Sequence, residues 1–130
     1  MTVAVRRARR VTLGLAAFDA GFAAVAVARP ELPTRLVDAE AGGFYSDWGV
    51  GQLIGYAIVQ AVAGTRPSRS RLDAVAGLRT VAIAADLLAA RRSAPARRAF
   101  FLVVAAGNAV AALLVRQAAR ELSARRDAQA

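Results

Sequence analysis

Cysteine, histidine and lysine are all missing from this 130-residue chain. Without cysteine there is no disulfide, no thiolate nucleophile and no thiolate metal site. Without histidine, the commonest general base and the commonest metal ligand go too. Zinc chemistry and Ser-His-Asp triads are excluded with them. All 18 basic residues are arginine, set against 9 acidic ones, for a formal charge of +9. In so alanine-rich a chain this reads as compositional bias rather than guanidinium chemistry. Gly49-Val-Gly51 is too short for a phosphate loop and no lysine follows it. The acidic residues are not spaced as a metal cage, so neither a metal nor a cofactor is expected.

What the chain has is apolar length: 57% of its residues are hydrophobic. Four runs stand out, at residues 11–28, 48–64, 72–90 and 99–115. Each approaches the ~20 residues that cross a bilayer core as a helix. The first and fourth are the cleanest; the third carries Asp73, Arg79 and Asp86. None shows the alternation of a strand. The expectation is an all-α, single-domain protein, a four-transmembrane-helix bundle, with a polar tail over residues 116–130 that is a helical extension or disordered.

Local punctuation supports these runs. Arg29-Pro30 stops the first, and Pro33 keeps the next stretch out of it. Ser46 is a candidate cap for the second helix, with Asp47 in its first turn. Ser70-Arg-Leu-Asp73 reads as a capping box for the third. Arg91 and Arg92 suit that helix's C-terminal end, and Pro95 suits the first position of the fourth.

The arginines lie between the apolar runs rather than along one basic face, which argues against a nucleic-acid partner. Placing both termini in the cytoplasm puts eleven arginines inside and six outside, as the positive-inside rule prefers. The four arginines at 91, 92, 97 and 98 oppose that orientation. The chain is therefore expected in the cell membrane as a multi-pass protein, in contact with the lipid bilayer. Two rivals fit less well. A cleaved signal peptide matches the basic start and Ala26-Val27-Ala28, but not Asp19 or the three later runs. A soluble bundle requires a wide polar face on every helix, and the first and fourth runs show almost none.

Small residues recur at helical spacing in Gly51-x-x-x-Gly55, in Gly107-x-x-x-Ala111, and at Ala16, Ala20, Ala24 and Ala28. These predict close helix packing more than a dedicated dimer face. The polar residues say more. Gln52, Tyr56 and Gln60 form one stripe on the second helix. Arg79 and Asp86 lie two turns apart on the third. Asp19 and Asn108 sit mid-run in the first and fourth. A charge at mid-bilayer costs roughly 3 kcal/mol on insertion scales, so these side chains should turn inward. They predict one polar core of Asp19, Gln52, Tyr56, Arg79, Asp86 and Asn108.

Two readings of that core stay open. It is an interhelical bridge of Asp19 or Asp86 to Arg79, or a pocket for the polar head of a lipophilic small molecule. In the second reading Asp19, Asp86 and Arg79 are the catalytic candidates, for acid–base chemistry such as an isomerase or cyclase performs. Tyr56, Gln52, Asp47, Trp48 and Asn108 are the binding candidates. Phe44, Tyr45 and Trp48 suit an interfacial aromatic belt; alternatively residues 41–49, with three glycines and Asp47, form a lid. Residues 34–40 suit a short interfacial turn. Other functional classes are a noncatalytic scaffold subunit bound to a larger membrane partner, and a small transporter working as a homo-oligomer.

The segments Arg9-Arg10-Val-Thr-Leu-Gly-Leu and Leu78-Arg79-Thr-Val-Ala-Ile-Ala-Ala-Asp86-Leu-Leu, with the span number and chain size, resemble the small bacterial DoxX-like group. That resemblance implies a four-helix integral membrane fold, often of unassigned role or associated with redox complexes. No catalytic residue carries over from the group.

Overall fold

A computed structural model describes residues 2–29, 31–32 and 44–127 of the chain. The described residues form four helices and no strand: α1 (Val3–Ala28), α2 (Phe44–Thr65), α3 (Arg69–Arg92) and α4 (Pro95–Asp127). Residues 34–40, and the side chains of Phe44, Tyr45, Ser46, Asp47 and Trp48, lie outside the described residues. The belt, lid and interfacial-turn expectations fall there.

The helices outrun their apolar cores. α1 starts at Val3, not at residue 11, because arginine is a good helix former and nothing before Val11 breaks the helix. Thr2 caps it by accepting from the Val5 amide at 3.3 Å. α1 closes at Arg29, whose amide donates to the Val25 carbonyl at 2.8 Å, just ahead of Pro30. α4 begins at Pro95 and runs to Asp127, so most of the polar tail is helix.

Two caps differ from expectation. α2 starts at Phe44, so Ser46 lies within its first turn rather than ahead of it. α3 is capped by Ser68, whose hydroxyl accepts from the Arg71 amide at 3.3 Å. Pro67 breaks the chain just before Ser68, so the helix starts at once and Ser70 falls within its first turn. Asp73 pairs with Arg69 at 3.5 Å rather than closing a capping box. Ser68→Ala is therefore expected to lower stability by ~1 kcal/mol. Ser70→Ala should change it by under about 0.5 kcal/mol. Thermal melts followed by circular dichroism separate the two; equal losses would remove Ser68 as the cap.

Residues 66–68 join α2 to α3, and residues 93–94 join α3 to α4. Such short turns force antiparallel neighbours. Gln60 meets Asp19 while Gly64 meets Thr12 and Leu13, so α1 and α2 are antiparallel as well. α3 packs most extensively on α4, and α1 on α2. The α1–α4 contact is smaller and the α2–α3 contact smallest. Around the bundle the order is α2, α1, α4, α3, with α1 diagonal to α3. The N-terminus of α1, the α2–α3 turn and the last turns of α4 share one end, the arginine-rich one.

The core has layers. Near the arginine-rich end Ala8, Ala63, Leu72, Val75, Ala76, Val115, Ala118 and Ala119 form an apolar cluster. Above it lie Asp19, Gln60, Arg79 and Asn108, all buried. Most other buried positions are alanine. The large apolar side chains point the other way: Phe18, Ile58, Val81 and Val103 are among many that are exposed, with at least one on every helix. Two helical segments, Val3–Ala28 and Arg97–Ala124, are long and apolar enough to cross a membrane, and only 28% of each apolar window is buried.

The packing stripe on α1 also differs from the sequence pattern. Ala16 is buried, but Ala20, Ala24 and Ala28 are exposed. A strict four-residue step drifts off a 3.6-residue helix face. The buried line runs Ala8, Thr12, Ala16, Asp19, Ala23, Ala26, mixing steps of four and three. Gly51, Gly55 and Gly107 have nothing within 4 Å of an added Cβ, so none marks a close helix approach; Gly64 does.

Candidate functional site

The centre of the bundle holds one polar network to which all four helices contribute. Asp19 comes from α1 and Gln60 and Tyr56 from α2. Arg79 and Asp86 come from α3, and Asn108 from α4. Each polar group on an apolar helix avoids lipid or core hydrocarbon only by meeting another polar group. With one such group per helix near the same height, the meeting point is the bundle axis.

Arg79 is the hub, with 7% of its side chain exposed. Its Nη2 donates to Asp19 Oδ2 and, at 2.8 Å, to Gln60 Oε1. Nε also donates to Gln60 Oε1, at 3.3 Å. Nη1 donates to Asn108 Oδ1 at 2.7 Å. The guanidinium carbon lies 4.7 Å from the centre of the Tyr56 ring, within cation–π range. Arg79 and Asp19 belong to diagonal helices, so their ion pair ties the bundle across its middle.

Gln60 is fully buried and saturated. Its Nε2 donates to Asp19 Oδ2 at 2.7 Å and to the Tyr56 carbonyl at 2.8 Å, while its Oε1 accepts twice from Arg79. Two donors on one side and two acceptances on the other fix the amide's orientation. Asn108 relays the network outward: its Oδ1 accepts from Arg79, and its Nδ2 donates to Asp86 Oδ2 at 2.9 Å. Among the described residues, no buried side-chain nitrogen or oxygen lacks a partner.

Of the residues singled out from sequence, the structure brings together Asp19, Tyr56, Arg79, Asp86 and Asn108. Gln52 is half-buried two turns before Gln60 and makes none of the network's bonds. Gln60 holds the place expected for Gln52. Its position on the same polar stripe was the available signal, but spacing alone does not say which rung meets Asp19. The side chains of Asp47 and Trp48 are outside the described residues.

The two carboxylates differ in setting. Asp19 is enclosed, 2% exposed, and bound to a cation. Asp86 is half-buried and bound to a neutral amide. It lies within electrostatic reach of both Arg79 and Tyr56. Tyr56 is on α2 and Asp86 on α3, the two neighbouring helices that touch least. Chemically, the inner part is a closed scaffold of matched donors and acceptors. Its outer edge offers a carboxylate, a phenol and an amide.

No family model, curated protein or solved structure matches this chain.

Proposed function

We propose that the chain is a four-span integral membrane protein whose α2–α3 seam takes the polar head of a lipophilic small molecule. The observation that carries the membrane part is the inverted packing. All four helices turn large apolar side chains outward, while alanine and charge fill the middle. In water such a surface is an aggregation liability; in lipid it is the ordinary arrangement. The two segments that can cross a membrane account for α1 and α4. Exposed Ile54, Ile58, Val81, Leu87 and Leu88 support the same reading for α2 and α3. The arginine-rich end then faces the cytoplasm, with both termini. The likeness to DoxX-like proteins agrees in span number and adds no residue role.

The ligand part rests on the contrast between the two carboxylates. Asp19 and Arg79 satisfy each other and frame the site. Asp86 is the carboxylate without a cation bonded to it, at the edge of the network and within electrostatic reach of Tyr56. Proton transfer to or from a bound carbonyl or hydroxyl compound, as in an isomerase or cyclase, falls to Asp86 with Tyr56 as its partner. Asn108 and Arg79 position that carboxylate.

The membrane reading predicts recovery in the membrane fraction and release only by detergent. Recovery as a detergent-free aqueous monomer ends it. The ligand reading is checked with a photoreactive dodecanol carrying a diazirine. Labelling should concentrate on peptides of α2 and α3 and fall at least tenfold in Asp86→Asn, whose melting curve should match the parent. Labelling spread evenly over all four helices, or unchanged by the substitution, sinks the ligand reading. That result favours a noncatalytic scaffold, a role to which the fully partnered network is also suited.

A further inference from the structure

At the arginine-rich end, away from the polar core, the first turns of α3 and the last turns of α4 enclose a cleft of about 430 Å³. Arg69 and Asp73 line it from α3, and Arg116, Arg120 and Ser123 from α4. We propose that this cleft is a binding site for a phosphate group, supplied by an anionic lipid headgroup or by a soluble phosphate.

The geometry follows from the antiparallel α3–α4 pair. Residues four apart share a helix face. Arg116 and Arg120 therefore line one side of the cleft, with the Arg69–Asp73 pair on the other. Ala119 and Ala124 add little bulk between them. Three arginines against one aspartate leave a charge of +2 around a space open to solvent. The positive end of the α3 dipole and the negative end of the α4 dipole both lie at this end and offset each other, so the attraction for an anion comes from the arginines. Guanidinium groups bind phosphate oxygens through paired N–H donors, which a point charge cannot do. The Ser123 hydroxyl, now donating to the Ala119 carbonyl at 3.2 Å, is a further polar group within the lining. Arg116 now donates to Thr80 Oγ1 at 3.3 Å, two turns along α3 from Asp73, and swings back toward the cleft to meet a phosphate.

The surroundings favour a lipid. One turn or less from Arg116 along α4, Leu113 is 66% exposed and Leu114 is also exposed. Acyl chains lying on that apolar face place their phosphate at the level of the cleft. This lipid source, though not the phosphate chemistry, rests on the membrane reading above.

The test uses the full chain in a nonionic detergent, read by native mass spectrometry. The probes are phosphatidylglycerol, phosphatidylcholine and inorganic phosphate. One phosphatidylglycerol per chain is expected, with phosphatidylcholine bound at least tenfold more weakly. The double variant Arg116→Gln/Arg120→Gln should lose that adduct at least tenfold while melting like the parent. Arg91→Gln/Arg92→Gln, at the opposite end, should keep it. Displacement of the lipid by inorganic phosphate identifies a soluble phosphate as an occupant; resistance to it identifies the lipid. An adduct that survives the Arg116/Arg120 change, or that falls equally in the Arg91/Arg92 pair, overturns the proposal. If the chain proves soluble without detergent, the membrane reading fails. Inorganic phosphate binding lost in Arg116→Gln/Arg120→Gln then still establishes the cleft, and no such binding ends it.

Discussion

Arg79→Met is expected to lower stability by about 3–5 kcal/mol, a large share of the roughly 5–15 kcal/mol that holds a folded domain. The loss comes less from contacts removed than from groups left behind. Asp19, 3% exposed on its side chain, is left buried without its cation and with only the Gln60 amide bonded to it. Gln60 Oε1 and Asn108 Oδ1 both lose their donors. Asp19→Leu leaves the mirror problem, a buried guanidinium with no anion bonded to it, and a loss of similar size is expected. The double variant removes both charges at once. It should lose at least about 2 kcal/mol less than the two single losses added together. Unfolding in mixed micelles, followed by circular dichroism, gives all three values. Additive losses would mean that the pair does not tie α1 to α3. The same experiment bears on function: a guanidinium that makes four hydrogen bonds to the protein is poorly placed to leave them for a ligand.

The central residues were legible for an energetic reason. Asp19, Arg79 and Asn108 interrupt apolar runs, and a polar group there is costly unless it turns inward and finds another. One such group per helix is enough to predict a meeting place. Their partners were less legible. Gln52 and Gln60 lie on one drifting stripe of α2, two turns apart and about 80° round the helix from each other, and which of them meets Asp19 is set by how α2 slides and turns against α1. That register depends on a close contact between Gly64 and Thr12, two residues 52 apart whose proximity no local pattern announces. The alanine stripe failed for a related reason. Alanine is so common in this chain that a four-residue step appears on faces that pack nothing. The diagonal placement of α1 and α3 was also out of reach, because short turns dictate antiparallel neighbours without saying which helices close the ring.

Gly64→Val should cost about 3 kcal/mol, while Gly55→Ala should cost nothing or add up to about 1 kcal/mol. Both glycines lie inside α2; valine is a poorer helix former than alanine by under about 0.7 kcal/mol, so most of the difference is one of space. A Cβ at Gly55 meets nothing within 4 Å. At Gly64 it falls 2.7 Å from both Leu13 Cδ2 and Thr12 Oγ1, and 2.8 Å from Leu13 Cγ. Leu13 is only half-buried and has room to rotate. Thr12 is fully buried, its hydroxyl held on the Ala8 carbonyl at 2.8 Å. α1 and α2 must therefore separate, and Gln60 lies one turn from Gly64. Moving α2 outward stretches the Gln60–Asp19 bond and, through it, the hold on Arg79. The substitution should weaken the polar network from a turn away, and Thr12→Ala should recover part of the loss by vacating the contact. Thermal melts of Gly64→Val, Gly55→Ala and the Thr12→Ala/Gly64→Val pair decide it. If Gly64→Val melts with the parent, α1 and α2 are not packed at this point and the register that brings Gln60 to Asp19 has another cause.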